Sequence, residues 1–290
     1  DLSFRPKSEY FAGGVIGGST PDPIMFYVAD NNYVYLPYKY AEKLTGLTST
    51  GDWPLAKFRF TQELLPHQPS AVEEAIQHLD REGTTLLNLY TGFGKTVLAA
   101  YLGAKSRLKL CILMNSSPLL PQWKSTFDTM TDAKIWIVGE KMPNYDPDVI
   151  LLMSGRYEHV PDKMRKEIGF LIIDECHKFC TPTSVAPILA FSPKFLIGCS
   201  ATPKKANGLH EMLYALIGRH QVYRPLDKQF SVTCFRTGIC PELKQNKMGS
   251  LDWSAVVRDL CGDELRNSMI LEWVLTNITS KQLILTWNAD

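Results

Sequence analysis

Residues 91–96, Thr-Gly-Phe-Gly-Lys-Thr, combine two glycines with one lysine between two apolar stretches. The preceding run, TTLLNLY, is typical of a strand, and the following run, VLAAYLGAK, is typical of a helix. In this setting glycines let the backbone wrap a phosphate, and the helix N-terminus adds its positive dipole end. Lys95 can then reach β- and γ-phosphates, and the Thr96 hydroxyl can hold Mg²⁺. The pattern departs from the usual phosphate loop at Leu89, where a glycine is expected.

An acidic pair and a small hydroxyl segment end two further apolar runs. The run FLIIDECH ends in Asp174 and Glu175, and FLIGCSATPKK ends in the segment 200–202, Ser-Ala-Thr. Open α/β sheets bind ligands at the carboxyl ends of their strands. One carboxylate there can hold Mg²⁺ through water, and the other can orient and deprotonate an attacking water. The hydroxyls of the segment 200–202 can contact the acidic pair and sense whether a γ-phosphate is present.

Six short apolar runs alternate with helical stretches between residues 61 and 222. Continuous β-rich runs separated by helices indicate an α/β fold with a parallel sheet buried on both faces. We expect residues 1–60 to form a small β-rich region, with a hairpin turning at Asp30-Asn31-Asn32. Residues 223–290 are predicted to be a linker, one helical stretch over 253–278 and a strand over 281–290 that opens a second α/β domain.

Composition limits the partners and the compartment. The net charge is +1, so contact with nucleic acid must come from a local patch. Seven cysteines without C-x-x-C spacing indicate free thiols in a reducing compartment, the cytoplasm or the nucleus. Cys176, His177 and Cys180 lack a second pair at zinc spacing, so no zinc site is predicted. No apolar run reaches the ~18 residues of a membrane span, and we expect a soluble protein without membrane partners.

The motifs TGFGKT, DECH and SATP, in this order and after a PHQ element, resemble motifs I, II and III of superfamily 2 DExH helicases. The XPB-like and phage recombination branch is most similar, together with transcript-release helicases of large cytoplasmic DNA viruses. LLPHQPSAVEEAI and MNSSPLLPQWKSTF resemble the family's glutamine element and motif Ia. LRNSMI and QLILTWN resemble the opening of a second RecA-like domain. The resemblance covers roughly residues 61–290.

The resemblance implies a RecA-like P-loop NTPase fold, with ATP and Mg²⁺ as cofactors. Gln68 would read the adenine edge, and the phosphates would be held by Thr91, Gly92, Phe93, Gly94, Lys95 and Thr96. Thr96 and Asp174 would position the metal, Glu175 would activate water, and His177 would communicate with the second domain. Hydrolysis would be coupled to movement by Ser200, Ala201 and Thr202. The nucleic-acid backbone would lie near Ser117, Pro118, Gln122 and Trp123, although core packing explains Trp123 equally well.

The sequence departs from the helicase motifs at several positions, and it leaves alternative functions open. Leu65 replaces a frequent arginine, MSGRYE matches motif Ib poorly, and no Q-x-x-G-R-x-x-R segment supplies arginine fingers. The sequence is therefore interpreted as a fragment carrying the ATP-binding motor domain of a helicase or translocase. A P-loop switch is disfavoured because N-K-x-D is absent, and a small-molecule kinase is disfavoured because kinases rarely combine DECH with SAT. An ATP-gated clamp, annealing factor or transcript-release factor stays open. DNA is favoured over RNA as partner, with transcription or replication machinery, in host cytoplasm or virion if the protein is viral.

Overall fold

A computed structural model describes residues 2–6, 22–47, 51–204, 207–227, 234–246, 249–277 and 279. The chain divides into two compact units, Asp1–Asp227 and Lys228–Asp290. The first unit contains the glycine-lysine loop, the acidic pair and the hydroxyl segment. Within the described ranges, no helix is long and apolar enough to cross a membrane.

The N-terminal part of the first unit contains short antiparallel strands. The pairs are β1 (Ser3–Phe4) with β2 (Ile24–Met25), and β3 (Val28–Ala29) with β4 (Val34–Tyr35). The turn expected at Asp30 joins β3 to β4, because the Asp30 carboxylate accepts the backbone N–H groups of Asn32 and Tyr33 at 2.9 and 2.8 Å. Helix α1 (Tyr38–Thr45) follows and was not predicted.

A parallel sheet forms the centre of the first unit. Its strands are β5 (Thr84–Leu89), β6 (Leu110–Met114), β7 (Ile135–Ile137), β8 (Val149–Met153), β9 (Phe170–Ile173), β10 (Phe195–Ser200) and β11 (Gln221–Arg224). They lie in the order β11-β5-β10-β9-β6-β8-β7, and every pairing is parallel. The predicted α/β fold is confirmed, and the six predicted runs are β5 to β10. The edge strand β11 has the short sequence QVYR, which gave no apolar signal.

Helices cover both faces of this sheet, which explains why its central strands are largely apolar. In β6, Leu110, Ile112 and Met114 belong to one core, and Cys111 and Leu113 belong to the other. Successive side chains of a strand point to opposite faces. The first core is closed by α2 (Pro69–Glu82), α3 (Lys95–Ser106) and α4 (Leu119–Met130). The second face carries α5 (Asp162–Glu167), α6 (Val185–Leu189) and α7 (Glu211–Ile217). Each fully buried leucine or isoleucine contributes about 1.5–3 kcal/mol.

The described residues of the second unit form two helices, α8 (Trp253–Gly262) and α9 (Glu264–Thr276). The prediction of a single helical stretch is wrong, because Asp263 separates the two helices. Its ψ of 108° is extended, and its carboxylate accepts the backbone N–H of Arg266 at 2.7 Å, so it caps the N-terminus of α9. The strand predicted over 281–290 lies outside the described residues.

Candidate active site

The three motifs meet at one edge of the sheet. Strands β5, β10 and β9 are adjacent and parallel, so the segments after them leave the same edge. These segments are the loop 91–96, the segment 200–202 and the pair at 174–175. The sheet therefore brings three distant parts of the chain to the edge where open α/β folds bind ligands.

Two glycines give the loop its turn. Gly92 has φ of 93° and Gly94 has φ of 96°, in the left-handed region that favours glycine. A Cβ on Gly94 would also collide with the amide of Gln68. Helix α3 begins at Lys95, directly after the loop, so its free N–H groups face the loop. This geometry is suited to binding an anion such as phosphate.

Lys95 points back into the loop. Its Nζ donates hydrogen bonds to the carbonyl oxygens of Leu89 and Tyr90, at 3.1 and 3.5 Å. An ammonium group has three N–H donors, which phosphate oxygens can accept in place of the carbonyls. The Thr96 hydroxyl lies in the first turn of α3 and accepts a hydrogen bond from Gln122 Nε2 at 3.1 Å.

Gln68 supports the loop from inside the protein. The residue is 1% exposed. Its Oε1 accepts the Leu65 backbone N–H at 2.9 Å, and its Nε2 donates to the Phe93 carbonyl at 3.0 Å. Phe93 is itself buried and packs edge-on against His67, whereas Thr91 is exposed. Both ends of the Gln68 amide are thus hydrogen-bonded within the protein. Its recognition of adenine stays a prediction.

Asp174 is held in a fixed orientation at the end of β9. The residue is 6% exposed, its Oδ1 accepts the Glu175 backbone N–H at 2.9 Å, and its Oδ2 accepts Trp123 Nε1–H at 2.7 Å. Burial raises the pKa of Asp174, with a smaller contribution from the negative charge of Glu175; the two hydrogen bonds and the positive charge of Lys95 oppose this rise. Both oxygens of the Asp174 carboxylate are therefore held by hydrogen bonds from the protein.

Glu175 adopts a left-handed backbone conformation with φ of 47°, unusual for a residue with a side chain. Strained conformations of this kind occur where function requires a fixed orientation. Its half-buried carboxylate lies 3.3 Å from Nδ1 of His177. The same Nδ1 lies 2.8 Å from Ser200 Oγ, which also accepts the Thr202 backbone N–H at 3.0 Å. The acidic motif and the segment 200–202 are therefore joined by hydrogen bonds, with Ala201 between the bonded residues.

The residues predicted to lie near nucleic acid separate into two groups. Ser117, Pro118 and Gln122 are exposed at the start of α4. Trp123 has no exposed surface, so its predicted contact with a nucleic-acid backbone is wrong for this structure. Its indole stacks on Phe127 with ring centroids 6.0 Å apart. The helical position that exposes Gln122 directs the next side chain into the core.

Asn115 was missed by the motif analysis. It follows β6 at the same sheet edge, and its buried Oδ1 has no hydrogen-bond partner among the described residues. A buried amide oxygen without a partner is uncommon in proteins. The available signal was a polar amide directly after the run LCILM, the same arrangement that identified Asp174 after FLII.

The oxygen atoms at this edge are suited to a magnesium ion that is bound partly by the protein and partly by substrate phosphates and water. No group of three or more His, Cys, Asp or Glu side chains able to hold a metal occurs in the described part of the chain. Mg²⁺ is commonly bound by one or two protein oxygens together with substrate phosphates and water. The Thr96 hydroxyl and the Asp174 carboxylate provide such oxygens. Gln122 of α4 donates to the first, and the next residue, Trp123, donates to the second.

A phosphate loop ending β5, an acidic pair ending β9 and a hydrogen-bonded Ser-Ala-Thr segment ending β10 define the RecA-like motor domain of superfamily 2 DExH helicases. The chain belongs to the ResIII family, described as "Type III restriction enzyme, res subunit", whose profile matches residues 61–205. The class predicted from the order of the motifs is thereby confirmed. It is a class of ATP-hydrolysing enzymes.

Viral and cellular helicases are among the relatives. "Putative helicase 161L" of Invertebrate iridescent virus 6 is 26% identical over 91% of this chain and 62% of its own length. "Putative helicase 055L" of Frog virus 3 is 27% identical over 92% of this chain and 63% of its own length. "DNA 3'-5' translocase XPB2" of Sulfurisphaera tokodaii is 26% identical over 57% of this chain and 36% of its own length. The predicted viral and XPB-like relationships are therefore confirmed.

The crystal structure of the UvsW helicase from Bacteriophage T4 has the same fold. It superposes with a TM-score of 0.51 and 19% identity, covering 77% of this chain and 90% of the UvsW chain. This likeness supports the RecA-like sheet. The chain spans about three-fifths of the length of the two iridovirus relatives.

Proposed function

We propose that this chain drives an ATP-dependent nucleic-acid helicase or translocase, and that the edge formed by β5, β9 and β10 is its ATPase site. The observation that carries this proposal is that α4 hydrogen-bonds both to Thr96, the neighbour of Lys95, and to Asp174, the neighbour of Glu175. A cationic phosphate loop facing an acidic pair is the arrangement that phosphoryl transfer to water requires.

Each residue has a distinct role in the proposed reaction. Lys95 exchanges its carbonyl partners for the β- and γ-phosphate oxygens of ATP, and the N–H groups at the start of α3 complete the phosphate site. Glu175, whose backbone is left-handed, orients a water and accepts its proton. Thr96 and Asp174 would hold Mg²⁺, which when bound neutralises charge on the phosphates. Gln68 would contact the adenine.

Nucleic acid is the proposed partner, bound along the sheet edge next to this site. Ser117 and Pro118 lie exposed where α4 begins, and Gln122 lies on the same helix. Hydroxyl groups and helix N-termini commonly contact phosphates without reading sequence. With a net charge of +1, attraction must be local rather than general. DNA is the proposed polymer, because the XPB2 relative is named as a DNA translocase.

The experiment compares ATP hydrolysis by the wild-type chain, Lys95→Ala and Glu175→Gln, each with and without single-stranded DNA, double-stranded DNA and single-stranded RNA. We expect Lys95→Ala to weaken ATP binding at least ~10-fold because it removes a charged donor to the phosphates. Glu175→Gln should bind ATP but lose hydrolysis by ~10²–10⁴-fold, the contribution of a general base. Exposed Lys178→Ala, next to the acidic motif, is the matched charge control.

Equal ATP affinity in wild type and Lys95→Ala would refute the assignment of the phosphate site. Hydrolysis unaffected by any nucleic acid would refute a nucleic-acid motor. Nucleotide-dependent binding of a strand without displacement of a duplex would identify a clamp or annealing factor in place of a helicase.

A further inference from the structure

Helix α4 contacts both oxygen groups proposed to hold Mg²⁺. Gln122 Nε2 donates to Thr96 Oγ1 at 3.1 Å, and Trp123 Nε1 donates to Asp174 Oδ2 at 2.7 Å. The two donors belong to consecutive residues, whose Cα atoms are ~3.8 Å apart. One turn of one helix therefore connects the phosphate loop with the acidic end of β9.

The bond from Trp123 has the features of an orienting interaction. Its indole has no exposed surface and stacks on Phe127 at an interplanar angle of 24°, which fixes the plane of the N–H group. An indole has one N–H donor and no acceptor, so burial requires a partner for it. That partner is an ionisable carboxylate, and hydrogen bonds to ionised groups are stronger than neutral ones.

The carboxylate that accepts this bond, Asp174, is itself buried and hydrogen-bonded at both oxygens. Asp174 is 6% exposed, and its second oxygen accepts the Glu175 backbone N–H at 2.9 Å. With one donor on each oxygen, the carboxylate plane is fixed, and the remaining lone pairs are directed by the protein. Loss of a group that orients a metal ligand typically lowers metal affinity by about 10–100-fold.

We propose that Trp123 is a positioning residue of the ATPase site, whose indole N–H sets the orientation of Asp174 for Mg²⁺, and that Gln122 does the same for Thr96. The proposal rests on the proposed function above. It replaces strand contact as the role of Trp123. Core packing alone would need the aromatic ring but not the N–H group, and this difference makes the two roles separable.

The test is the Mg²⁺ dependence of nucleotide binding by the 290-residue chain, measured with an ATP analogue carrying a fluorescent N-methylanthraniloyl group. Trp123→Phe keeps an aromatic ring against Phe127 and removes the N–H donor. We expect the Mg²⁺ concentration for half-maximal binding to rise ~10–100-fold, the effect typical of losing a group that orients a metal ligand. Affinity in EDTA should change less than ~2-fold, since the phosphate loop is intact.

Phe58→Leu is the matched control, because it disturbs the same core beside Phe127 while leaving the stack of Trp123 on Phe127 and the N–H of Trp123 in place. It should leave the Mg²⁺ midpoint near the wild-type value. Gln122→Ala should raise the midpoint through loss of the bond to Thr96. Equal Mg²⁺ midpoints for Trp123→Phe and wild type would overturn the proposal. If the wild type binds no nucleotide with or without Mg²⁺, the proposed function fails instead.

A second measurement uses the wild-type chain and does not depend on the folding of a variant. The indole ¹⁵N–¹H signal of Trp123 is assigned by its nuclear Overhauser contacts with the Phe127 ring. Adding Mg²⁺ to the ATP-bound protein should shift this signal, because the charge on its acceptor changes. A signal insensitive to Mg²⁺ would show that Trp123 serves only the core.

Discussion

Glu175 illustrates how much of the site depends on single residues. Its φ of 47° places a non-glycine residue in the left-handed region, where crowding at Cβ has a cost. An extended backbone at Glu175 would continue the direction of β9 and place the carboxylate elsewhere. The adjacent bonds of Asp174 and His177 hold the turn on both sides.

A substitution at Ser200 tests the connection between the acidic motif and the segment 200–202. Its buried Oγ joins Nδ1 of His177 to the backbone N–H of Thr202. We predict that Ser200→Ala keeps ATP affinity within ~2-fold but abolishes the effect of ATP on nucleic-acid affinity, a coupling typically ~5–150-fold. The measurement is fluorescence anisotropy of a labelled strand, with and without a non-hydrolysable ATP analogue.

Ser184→Ala is the control for this prediction. Ser184 is also a buried serine, and its hydroxyl bonds to Thr181 away from the acidic motif. Its loss should reduce stability by about 0.5–1.5 kcal/mol, as for a typical hydrogen bond, without affecting the coupling. Unchanged coupling in Ser200→Ala would assign the communication to other residues.

At the scale of elements, the sequence predicts strands that are buried on both faces better than strands at an edge. The runs that became β6 and β9, LCILM and FLII, are apolar at every position because each face packs against a core. Strand β11 alternates a buried Val222 with an exposed Tyr223, too short a pattern to identify. The division between α8 and α9 was missed because Asp263 serves as a cap, a role that depends on backbone geometry.

The contact of β5 with β11 predicts a pH dependence. His220 Nε2 lies 2.6 Å from the Thr84 carbonyl. Burial lowers the pKa of His220, and the nearby positive charges of His78 and Lys43 lower it further. The hydrogen bond with Thr84 and the negative charge of Glu82 raise the pKa but do not cancel the effect of burial. A histidine whose pKa is lowered by folding binds more protons when unfolded, so stability falls as pH drops below its unfolded pKa of about 6.5.

We therefore predict that the free energy of unfolding in urea decreases from pH 7.5 to pH 5.5 by more in the wild type than in His220→Gln. The variant should lose about 0.5–1.5 kcal/mol at pH 7.5 through the altered hydrogen bond. His159→Gln, at an exposed histidine, is the control. An identical pH response in wild type and His220→Gln would contradict the prediction.

For the whole molecule, the sequence predicted which motifs meet but not how they are connected. The order TGFGKT, DECH, SATP together with parallel strands placed Lys95, Asp174 and Ser200 at one edge, because parallel strands share their carboxyl ends. The bonds from Gln122 and Trp123 to two of these motifs depend on the angle at which α4 packs on the sheet. Spacing within one segment carries no information about that angle, so the resemblance to motif Ia implied strand contact for Trp123 while core packing explained it equally well.

The division into two compact units leads to the last prediction. ATP binding at the edge of the sheet stabilises the unit that contains the site, by about 2.7 kcal/mol when ATP is at 100 times its dissociation constant. In hydrogen exchange with saturating ATP and Mg²⁺, amides of β5 and β9 should exchange more slowly, whereas those of α9, in the second unit, should not. Lys95→Ala should show no slowing at the same ATP concentration. Slowing of β5 and β9 in Lys95→Ala equal to that in wild type would place ATP outside the phosphate loop, and slowing of α9 would show that the second unit responds to nucleotide.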